Sequence, residues 1–384
     1  MKIAILGGGP SGLFLAILLK KRIADIDIRV YEQNPKDATF GFGVVLADTG
    51  LSKLARGDRE VCDDLLKAMY FNDRQTIVSG ETPIVVAKPG QGGGAIPRIV
   101  LLNLLGAHAR ALGIAVEYQC RIDHPDTLDA DIVVGADGVN SVVRSTDEAA
   151  FGTTRRFLSN HFAWYGTEKA FANPSLVFRK YQGGHFVAHY YPYSDRMSTF
   201  VAECDHQTWL DFGMEEQSLE QRQALFEQIF AAELDGFPLV SNNSTWRQFP
   251  VIRNSNWHAG NKVLIGDALS SAHFSIGSGT RIAMEDAIAL ADAIHRNQGD
   301  AQAAFRDYVR VRAPEKDKLI KASESSFMWY EDIRKWMDSC SPHEFVYRFM
   351  TRTGRVDNER LARQFPQLMR QLEAAGVALT EERS

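Results

Sequence analysis

In this 384-residue chain, the residue patterns that point most specifically to a chemical function are three glycine-containing motifs. The first motif covers residues 7–12, the second is Asp137-Gly138, and the third runs from Gly266-Asp267 to residue 280. Glycine-rich turns after buried strands let a backbone approach phosphate groups, and a helix N-terminus favours the anion. In this order, the three motifs predict a chain wrapped around one dinucleotide.

The first motif has the pattern G-x-G-x-x-G. Gly7 permits a tight turn, Gly9 lets the backbone approach a pyrophosphate, and Gly12 lets a helix pack on the preceding strand. Glu32 ends the second predicted strand, about 20 residues past the last glycine. A carboxylate there accepts hydrogen bonds from ribose hydroxyls and repels a 2′-phosphate. The motif therefore predicts FAD or NAD rather than NADP.

The other two motifs favour FAD. The second motif ends another predicted buried strand at Asp137. The third follows a predicted strand that ends at Asp267, and a carboxylate there can accept a hydrogen bond from a ribityl hydroxyl, which NAD lacks. A helix predicted from Thr280 to about His295 would point its positive end at the flavin and stabilise negative charge on the reduced ring. The predicted FAD contacts of the three motifs are Gly7, Gly9, Pro10, Ser11, Gly12, Glu32, Asp137, Gly138, Gly266, Asp267, Gly277, Gly279 and Thr280.

The order and separations of these motifs resemble those of the single-component FAD-dependent aromatic hydroxylases, the group A flavoprotein monooxygenases. The resemblance implies NADPH or NADH as a transient reductant and O₂ as co-substrate. It also implies attack on an electron-rich ring by a flavin C4a-hydroperoxide, and contact of Arg98 with the phosphate–ribose region of FAD. Where that family commonly has a histidine and then a proline pair, this chain has Ser270, His273 and Phe274, which narrows the subfamily.

A further set of motifs resembles the branch that holds salicylyl-CoA and aminobenzoyl-CoA hydroxylases and the tryptophan hydroxylase of violacein biosynthesis. These motifs lie at residues 40–45, 164–167, 188–193, 198–200 and 272–277. A hydroxylation site must exclude water. Aromatic and apolar side chains of these motifs could line such a site. The predicted substrate pocket is Phe42, Val44, Trp164, Tyr165, Tyr191, Tyr193 and Phe274. The substrate stays open among an aromatic acid, an aryl-CoA thioester and an indole- or tryptophan-type compound.

Two histidines are the candidate catalytic residues. His273 precedes the helix that would meet the flavin, and an imidazole there could take the phenolic or anilinic proton as the ring is attacked. His189 lies in the middle of a predicted strand, from which its side chain could reach the pocket. For both residues the alternative is a structural histidine that the surrounding fold satisfies.

The predicted fold class is α/β, with a Rossmann-like FAD-binding domain, an antiparallel-sheet substrate domain and a helical C-terminal region. The predicted FAD-binding domain is discontinuous and takes residues 1–75, 95–150 and 258–296, with 76–94 as a connecting loop region. Residues 151–257 form the substrate domain. Residues 297–384 form the helical C-terminal region, with helices predicted at 301–311, 314–336 and 358–374. These helices could simply pack on the fold, or they could cover the site or form a dimer contact.

Composition narrows the function classes. The chain is 45% hydrophobic and 24% charged, with a net charge of −5, so it is ordinary globular material with no general attraction for nucleic acid or anionic membranes. Four separated cysteines, no metal-ligand pattern and no signal peptide predict a cytoplasmic protein without a metal. We expect a monomer or homodimer. The competing classes are an FAD-dependent oxidase or reductase without oxygen insertion and a non-catalytic flavoprotein.

Overall fold

The computed structural model describes residues 1–38, 41–46, 48–87, 93–297 and 299–380, with only the backbone described at 48 and 49. Phe40 of the predicted motif at 40–45 and residues 88–92 of the predicted loop lie outside these ranges. The first elements are β1 (Lys2–Leu6), α1 (Pro10–Arg22), β2 (Asp27–Glu32), β3 (Gly43–Leu46), α2 (Asp48–Gly57), α3 (Arg59–Lys67), β4 (Tyr70–Asn72), β5 (Arg74–Ser79), β6 (Thr82–Ala87), β7 (Gly93–Pro97), α4 (Arg98–Ala111), β8 (Ala115–Tyr118) and β9 (Ile132–Gly135).

The middle of the chain holds α5 (Val142–Ser145), α6 (Glu148–Phe151), β10 (Thr153–Thr167), β11 (Ser175–Tyr181), β12 (Gly184–Pro192), β13 (Ser198–Cys204), α7 (His206–Asp211), α8 (Leu219–Ile229), α9 (Ala231–Leu234), β14 (Leu239–Ser241), β15 (Arg247–Asn254), β16 (His258–Ala259) and β17 (Lys262–Leu264). The last elements are α10 (Gly279–Arg296), α11 (Ala301–Glu331), α12 (Ile333–Ser339), α13 (Pro342–Thr351), α14 (Asn358–Gln364) and α15 (Pro366–Ala374).

A mainly parallel sheet brings the three motifs together. Its strand order is β16-β17-β9-β1-β2-β8, and all neighbours from β17 to β8 are parallel. The carboxyl ends of parallel strands meet at one edge, so the turns after β1, β9 and β17 are neighbours and Glu32 lies beside them at the end of β2. Helix α1 buries its first ten residues. The predicted Rossmann-like parallel sheet is confirmed.

A second, mainly antiparallel sheet has the order β14-β10-β13-β12-β11-β5-β6, with β15 also paired to β10. Strands β10 to β13 lie within residues 151–257, for which the sequence predicts an antiparallel sheet. The structure differs from the connecting loop region predicted at 76–94. Within residues 74–87, β5 pairs in parallel with β11, and β6 completes a hairpin around Gly80. Ile77 and Ile84 are buried under the C-terminal helices, and this tertiary contact stabilises two short strands. Strands β3, β7 and β4 form a small antiparallel sheet beside the two larger ones.

The C-terminal region is helical, as predicted, but its helix bounds differ. Helix α11 runs unbroken through Pro314 instead of ending before it. Arg312 and Lys316, which flank this proline, are both ion-paired to the buried Asp286 of α10, and these pairs hold both sides of the proline in one helix. The predicted helix at 358–374 is two helices, since Pro366 disfavours a helical conformation at the residue before it. In the described ranges, no helix combines the length and apolar character that crossing a membrane requires.

Candidate active site

The phosphate turn shows close packing at two glycines and open space at a third. Gly7 has φ of 109°, and a Cβ built on it would lie 2.3 Å from the Ala136 carbonyl oxygen. A Cβ on Gly12 would lie 2.0 Å from the Gly7 carbonyl oxygen. A Cβ on Gly9 would meet no atom within 4 Å. Gly7 and Gly12 therefore pack strand against helix, while Gly9 leaves room for a ligand.

Glu32 lies at this turn, as the sequence predicts. The Gly8 N–H donates to its Oε2 at 2.8 Å, and the backbone and side chain of Asn34 donate to its Oε1 at 2.8 and 2.7 Å. Glu32, Gly9 and Arg98 line a small cavity of about 70 Å³. Burial lowers the pKa of Arg98, although the nearby carboxylates of Asp267 and Glu32 oppose this shift. Arg98 therefore lies between the first and third motifs.

The second motif contains an unpartnered buried oxygen. Oδ2 of Asp137 accepts a hydrogen bond from the Val142 N–H at 2.7 Å, whereas its Oδ1 is buried without a partner. Burial raises the pKa of this carboxyl. The buried guanidinium of Arg144 donates to the Val139 carbonyl at 2.6 Å and to the Ala268 carbonyl at 3.0 Å. Arg144 thus fixes the second motif to the third.

The third motif leads into an uncapped helix. Gly266 has φ of 60°, and its N–H donates to Asp286 at 3.0 Å. Asp267 is reached by water, yet protein surrounds it closely enough that desolvation raises the pKa of its carboxyl. Helix α10 begins at Gly279 after Ser278, and no side chain caps its first N–H groups. A helix N-terminus of this kind attracts negative charge.

These observations fit FAD. The space beside Gly9 suits a pyrophosphate, Glu32 suits the adenosine ribose, and the free Oδ1 of Asp137 can accept a hydrogen bond from a hydroxyl. Asp267 and the first turn of α10 follow in the same direction, where the flavin end would lie. The contacts of FAD with individual residues remain a prediction.

A cavity of about 450 Å³ lies where the start of α10 meets both antiparallel sheets. Its inner wall includes Val45, Ala95, Leu176, Val187, His189, Tyr191, Val201, Glu203, Phe274, Ile276, Gly277, Tyr330, Phe349 and Arg352. Among the described lining residues, four are exposed: Tyr70, Asp73 and Arg74 on one side, and Gly277 near the start of α10 on the other. The cavity therefore opens to solvent beside β4 and β5 and also at Gly277, near the N-terminus of α10. We call the α10 end the inner end, because bound FAD would cover it.

The structure brings only part of the predicted substrate pocket to this cavity. Tyr191 and Phe274 line it. Trp164 lies behind Phe274, with an edge-to-face ring distance of 5.6 Å. A Cβ on Gly166 would clash with the Phe42 ring, and one on Gly43 would clash with Tyr193. Phe42 and Tyr193 therefore form a packed cluster beside the cavity.

Val44 and Tyr165 are placed away from the cavity. Val44 packs against the core of the nucleotide-binding lobe, and the next residue, Val45, lines the cavity instead. Tyr165 is 1% exposed on the opposite face of the antiparallel sheet, where its hydroxyl accepts a hydrogen bond from Trp246 Nε1 at 3.0 Å. Side chains alternate between faces along a strand. Trp164 and Tyr165 therefore cannot both face the same site.

The two candidate catalytic histidines have different surroundings. His189 lines the cavity, and its ring lies 5.3 Å from that of Tyr191. Burial lowers the pKa of His189 to about 4, and the positive charge of Arg352 adds to this effect. His189 is therefore neutral near pH 7 and carries a ring nitrogen that can accept a proton.

His273 lies behind the cavity wall. It is 3% exposed, its Nδ1 accepts a hydrogen bond from the Ser275 N–H at 3.2 Å, and its ring packs against Phe249 at 4.7 Å. Burial lowers the pKa of His273 to about 3. These contacts are those of a structural histidine that caps the turn before α10.

Two polar residues on the cavity wall were not predicted as site residues. Glu203 is 3% exposed and accepts a hydrogen bond from Asn160 Nδ2 at 3.2 Å, and burial raises the pKa of its carboxyl to about 8. Arg352 follows α13, with its guanidinium 3.8 Å from the centre of the Phe349 ring. The alternation along β13 places Glu203 on the face of Val201. No sequence motif marks Arg352, because it reaches the cavity only through the packing of the C-terminal helices.

A parallel sheet with three glycine-containing turns at one edge, joined to a cavity beneath an antiparallel sheet, is the arrangement expected of an FAD-binding protein. The family model described as FAD binding domain matches residues 103–323. The chain belongs to this family.

Three curated relatives agree with this class. Salicyloyl-CoA 5-hydroxylase of a Streptomyces species is 37% identical, and the match covers 92% of this chain and 70% of the relative. A 3-hydroxy-4-methyl-anthranilyl-[aryl-carrier protein] 5-monooxygenase of Streptosporangium sibiricum is 34% identical over 86% of this chain and 89% of the relative. Protodeoxyviolaceinate monooxygenase of Chromobacterium violaceum is 32% identical over 92% and 94%. The chain is therefore an FAD-dependent aromatic monooxygenase, which confirms the predicted enzyme class and its branch.

Proposed function

We propose that this protein uses NADH or NADPH and O₂ to hydroxylate an electron-rich aromatic ring that is presented as an aryl thioester. The observation that carries the proposal is the shape of the cavity. It is a cavity of about 450 Å³ that runs from Gly277, near the start of α10, to exposed residues at 70–75. An aryl group can enter to its inner end while a thioester-linked tether leaves through the opening.

The volume supports an aryl head group rather than a whole coenzyme. Pockets for drug-sized ligands span roughly 300–1,000 Å³, and this cavity is at the lower end of that range. Two of the three relatives are named for aryl thioesters, one carried by CoA and one by a carrier protein. The third is named for a substrate that its name does not describe as a thioester. A free aromatic acid or an indole compound is the alternative outcome of the test.

The chain's own residues would orient the substrate and exclude water. When bound, FAD supplies the activation of O₂ and the transfer of one oxygen atom to the ring. Phe274 and Tyr191 close the inner cavity with aromatic surface, and Tyr191 is fixed by its hydroxyl, which donates to the Gly43 carbonyl at 3.0 Å. The uncapped N-terminus of α10 would stabilise negative charge on the reduced cofactor.

We propose His189 as the group that accepts the ring-substituent proton, because it is the predicted histidine that faces the cavity. We expect His189→Asn to lower the rate of hydroxylation about 10²-fold while the protein keeps its FAD and its melting temperature. We expect His273→Asn to lower the melting temperature and leave the ratio of hydroxylated product to H₂O₂ unchanged. An unchanged rate of hydroxylation in FAD-loaded His189→Asn would contradict the role of His189.

The substrate class is tested by NADPH and NADH oxidation by the FAD-loaded protein, with H₂O₂ measured in parallel. The panel holds salicylate, anthranilate, tryptophan and the CoA thioesters of the first two. We expect a thioester to stimulate oxidation most, with little H₂O₂. Stimulation only by free acids or tryptophan would contradict the thioester proposal and leave the monooxygenase class unaffected.

Oligomeric state and domain boundaries also remain proposals. We expect a monomer or homodimer, which sedimentation of the FAD-loaded protein would determine.

A further inference from the structure

Arg352 holds a positive charge on the wall of the substrate cavity. Its Nε donates to Ser326 Oγ at 2.9 Å, its Nη1 to the Phe349 carbonyl at 2.6 Å, and its Nη2 to the Ser275 carbonyl at 2.9 Å. All three acceptors are neutral oxygens. The guanidinium also lies 3.8 Å from the centre of the Phe349 ring. Arg352 is thus fixed in position without a neutralising charge from any of these neighbours.

The acids that line the cavity do not supply that charge. Across the described ranges, no carboxylate forms an ion pair with Arg352. Glu203 stays protonated near pH 7, because burial raises the pKa of its carboxyl to about 8. Asp73 lies at the opening, where it pairs with Arg74 at 3.2 Å.

The remaining titratable groups around Arg352 are neutral. Burial and the positive charge of Arg352 together lower the pKa of His189 to about 4 and that of His273 to about 3. Burial raises the pKa of the Tyr330 hydroxyl, although Arg352 opposes this shift. The cavity wall at Arg352 therefore carries a net positive charge, and a partly buried charge without a charged partner costs free energy. An anionic ligand would remove this cost.

The position of Arg352 indicates which part of the substrate it meets. Its Nη2 contacts Ser275, two residues before Gly277 and the start of α10. The opening at residues 70–75 is where the proposed tether would leave. The guanidinium therefore faces the ring and its substituents at the inner end, and the acyl tether points away from it.

On the basis of the proposed function, we propose that Arg352 binds an ionised phenol oxygen on the substrate ring and so selects hydroxyaryl over aminoaryl substrates. A guanidinium has five N–H donors and no acceptor. Three of these N–H groups of Arg352 donate to protein oxygens, so the other two are available to a ligand. A phenolate oxygen can accept both, whereas an aromatic amine presents hydrogens to a donor. A buried N–H group that faces another donor makes no hydrogen bond, and such a site therefore discriminates strongly against that ligand. An ionised phenol also makes the ring more electron-rich, which suits attack by an electrophilic oxygen.

The test measures binding to the oxidised, FAD-loaded protein by the change in flavin absorbance, without reductant. Salicylamide and anthranilamide are matched probes that differ only in a hydroxyl against an amino group. We expect salicylamide to bind at least about tenfold tighter. We also expect bound salicylamide to show phenolate absorbance at a pH where the free compound is protonated. Arg352→Gln should remove both effects, and Arg355→Gln, which changes an exposed arginine of the same loop, should leave both intact.

Three results would overturn the proposal. The first is equal affinity of the wild-type protein for salicylamide and anthranilamide, which decides the matter even if Arg352→Gln does not fold. The second is phenolate absorbance that survives in Arg352→Gln. The third is tight binding of benzoate that is lost in Arg352→Gln, since this would assign Arg352 to a carboxylate. Because no turnover is needed, failure of thioester turnover leaves this test valid.

Discussion

At the scale of single residues, three glycines of one motif have three separate roles. A Cβ would strike backbone at Gly7 and at Gly12, and would meet nothing at Gly9. The sequence assigns the same roles, because the G-x-G-x-x-G pattern has one physical reason for each glycine. Which of Trp164 and Tyr165 lies on the cavity side of β10 could not be predicted with the same ease, since that depends on how β10 is oriented in the sheet.

Gly9→Ala should separate folding from cofactor binding. Gly9 has φ of −74° and ψ of 179°, which alanine adopts without strain, so we expect the free energy of unfolding of the FAD-free protein to change by less than about 0.5 kcal/mol. The new methyl group would occupy the space of the pyrophosphate, so we expect the Kd for FAD to rise at least about tenfold. Gly12→Ala is the matched control and should cost roughly 1–3 kcal/mol of stability. Unchanged FAD affinity in Gly9→Ala would contradict the assigned cofactor position.

Glu203 should make stability depend on pH. Burial raises the pKa of its carboxyl from 4.5 to about 8, so the folded state binds a proton that the unfolded state has released. Wild-type stability should therefore fall, relative to Glu203→Gln, as the pH rises from about 5 to 8, by at most about 1.4 kcal/mol per pH unit, and level off above that. Denaturant unfolding of both proteins across this range measures the difference. If the difference in free energy of unfolding between the wild-type protein and Glu203→Gln does not change with pH, Glu203 is ionised in the folded protein.

At the scale of elements, α10 and α11 form the support behind the third motif. Asp286 of α10 accepts from the Gly266 N–H at 3.0 Å and from Arg312 Nε at 2.7 Å, and it pairs with the buried Lys316. This network explains why α11 continues through Pro314, against the sequence prediction of a break. A local pattern can indicate a proline break, but it cannot show that ion pairs from another helix hold both sides together.

Lys316→Met should therefore destabilise the protein. Removing one partner of a buried ion pair leaves the other charge poorly compensated, so we expect a loss of about 3 kcal/mol in the free energy of unfolding. Lys318→Met changes an exposed lysine of the same helix and should cost less than about 0.5 kcal/mol. Urea unfolding of both FAD-free variants measures this, and equal stability of the two would show that the Asp286 network contributes little.

At the scale of the whole molecule, the order of the motifs was sufficient to predict the fold and the bound cofactor. The three turns follow strands that the sequence marks as apolar runs, and parallel pairing brings their ends to one edge. The cavity was harder to predict. Tyr191 and Phe274 were found through motifs, whereas Arg352 and the β5–β6 hairpin enter the site through contacts between segments more than 70 residues apart, as in the bond from Arg352 to Ser275. Such contacts leave no periodic pattern in one sequence.

Hydroxylation by this protein is tested most directly by ¹⁸O₂ incorporation, with the FAD-loaded protein, NADPH and a hydroxybenzoyl-CoA thioester. We expect one atom of ¹⁸O in the ring of the product, and close to one molecule of hydroxylated product for each NADPH oxidised. Product without ¹⁸O, or NADPH oxidation that ends entirely in H₂O₂ with every aromatic substrate of the panel, would contradict hydroxylation by this protein.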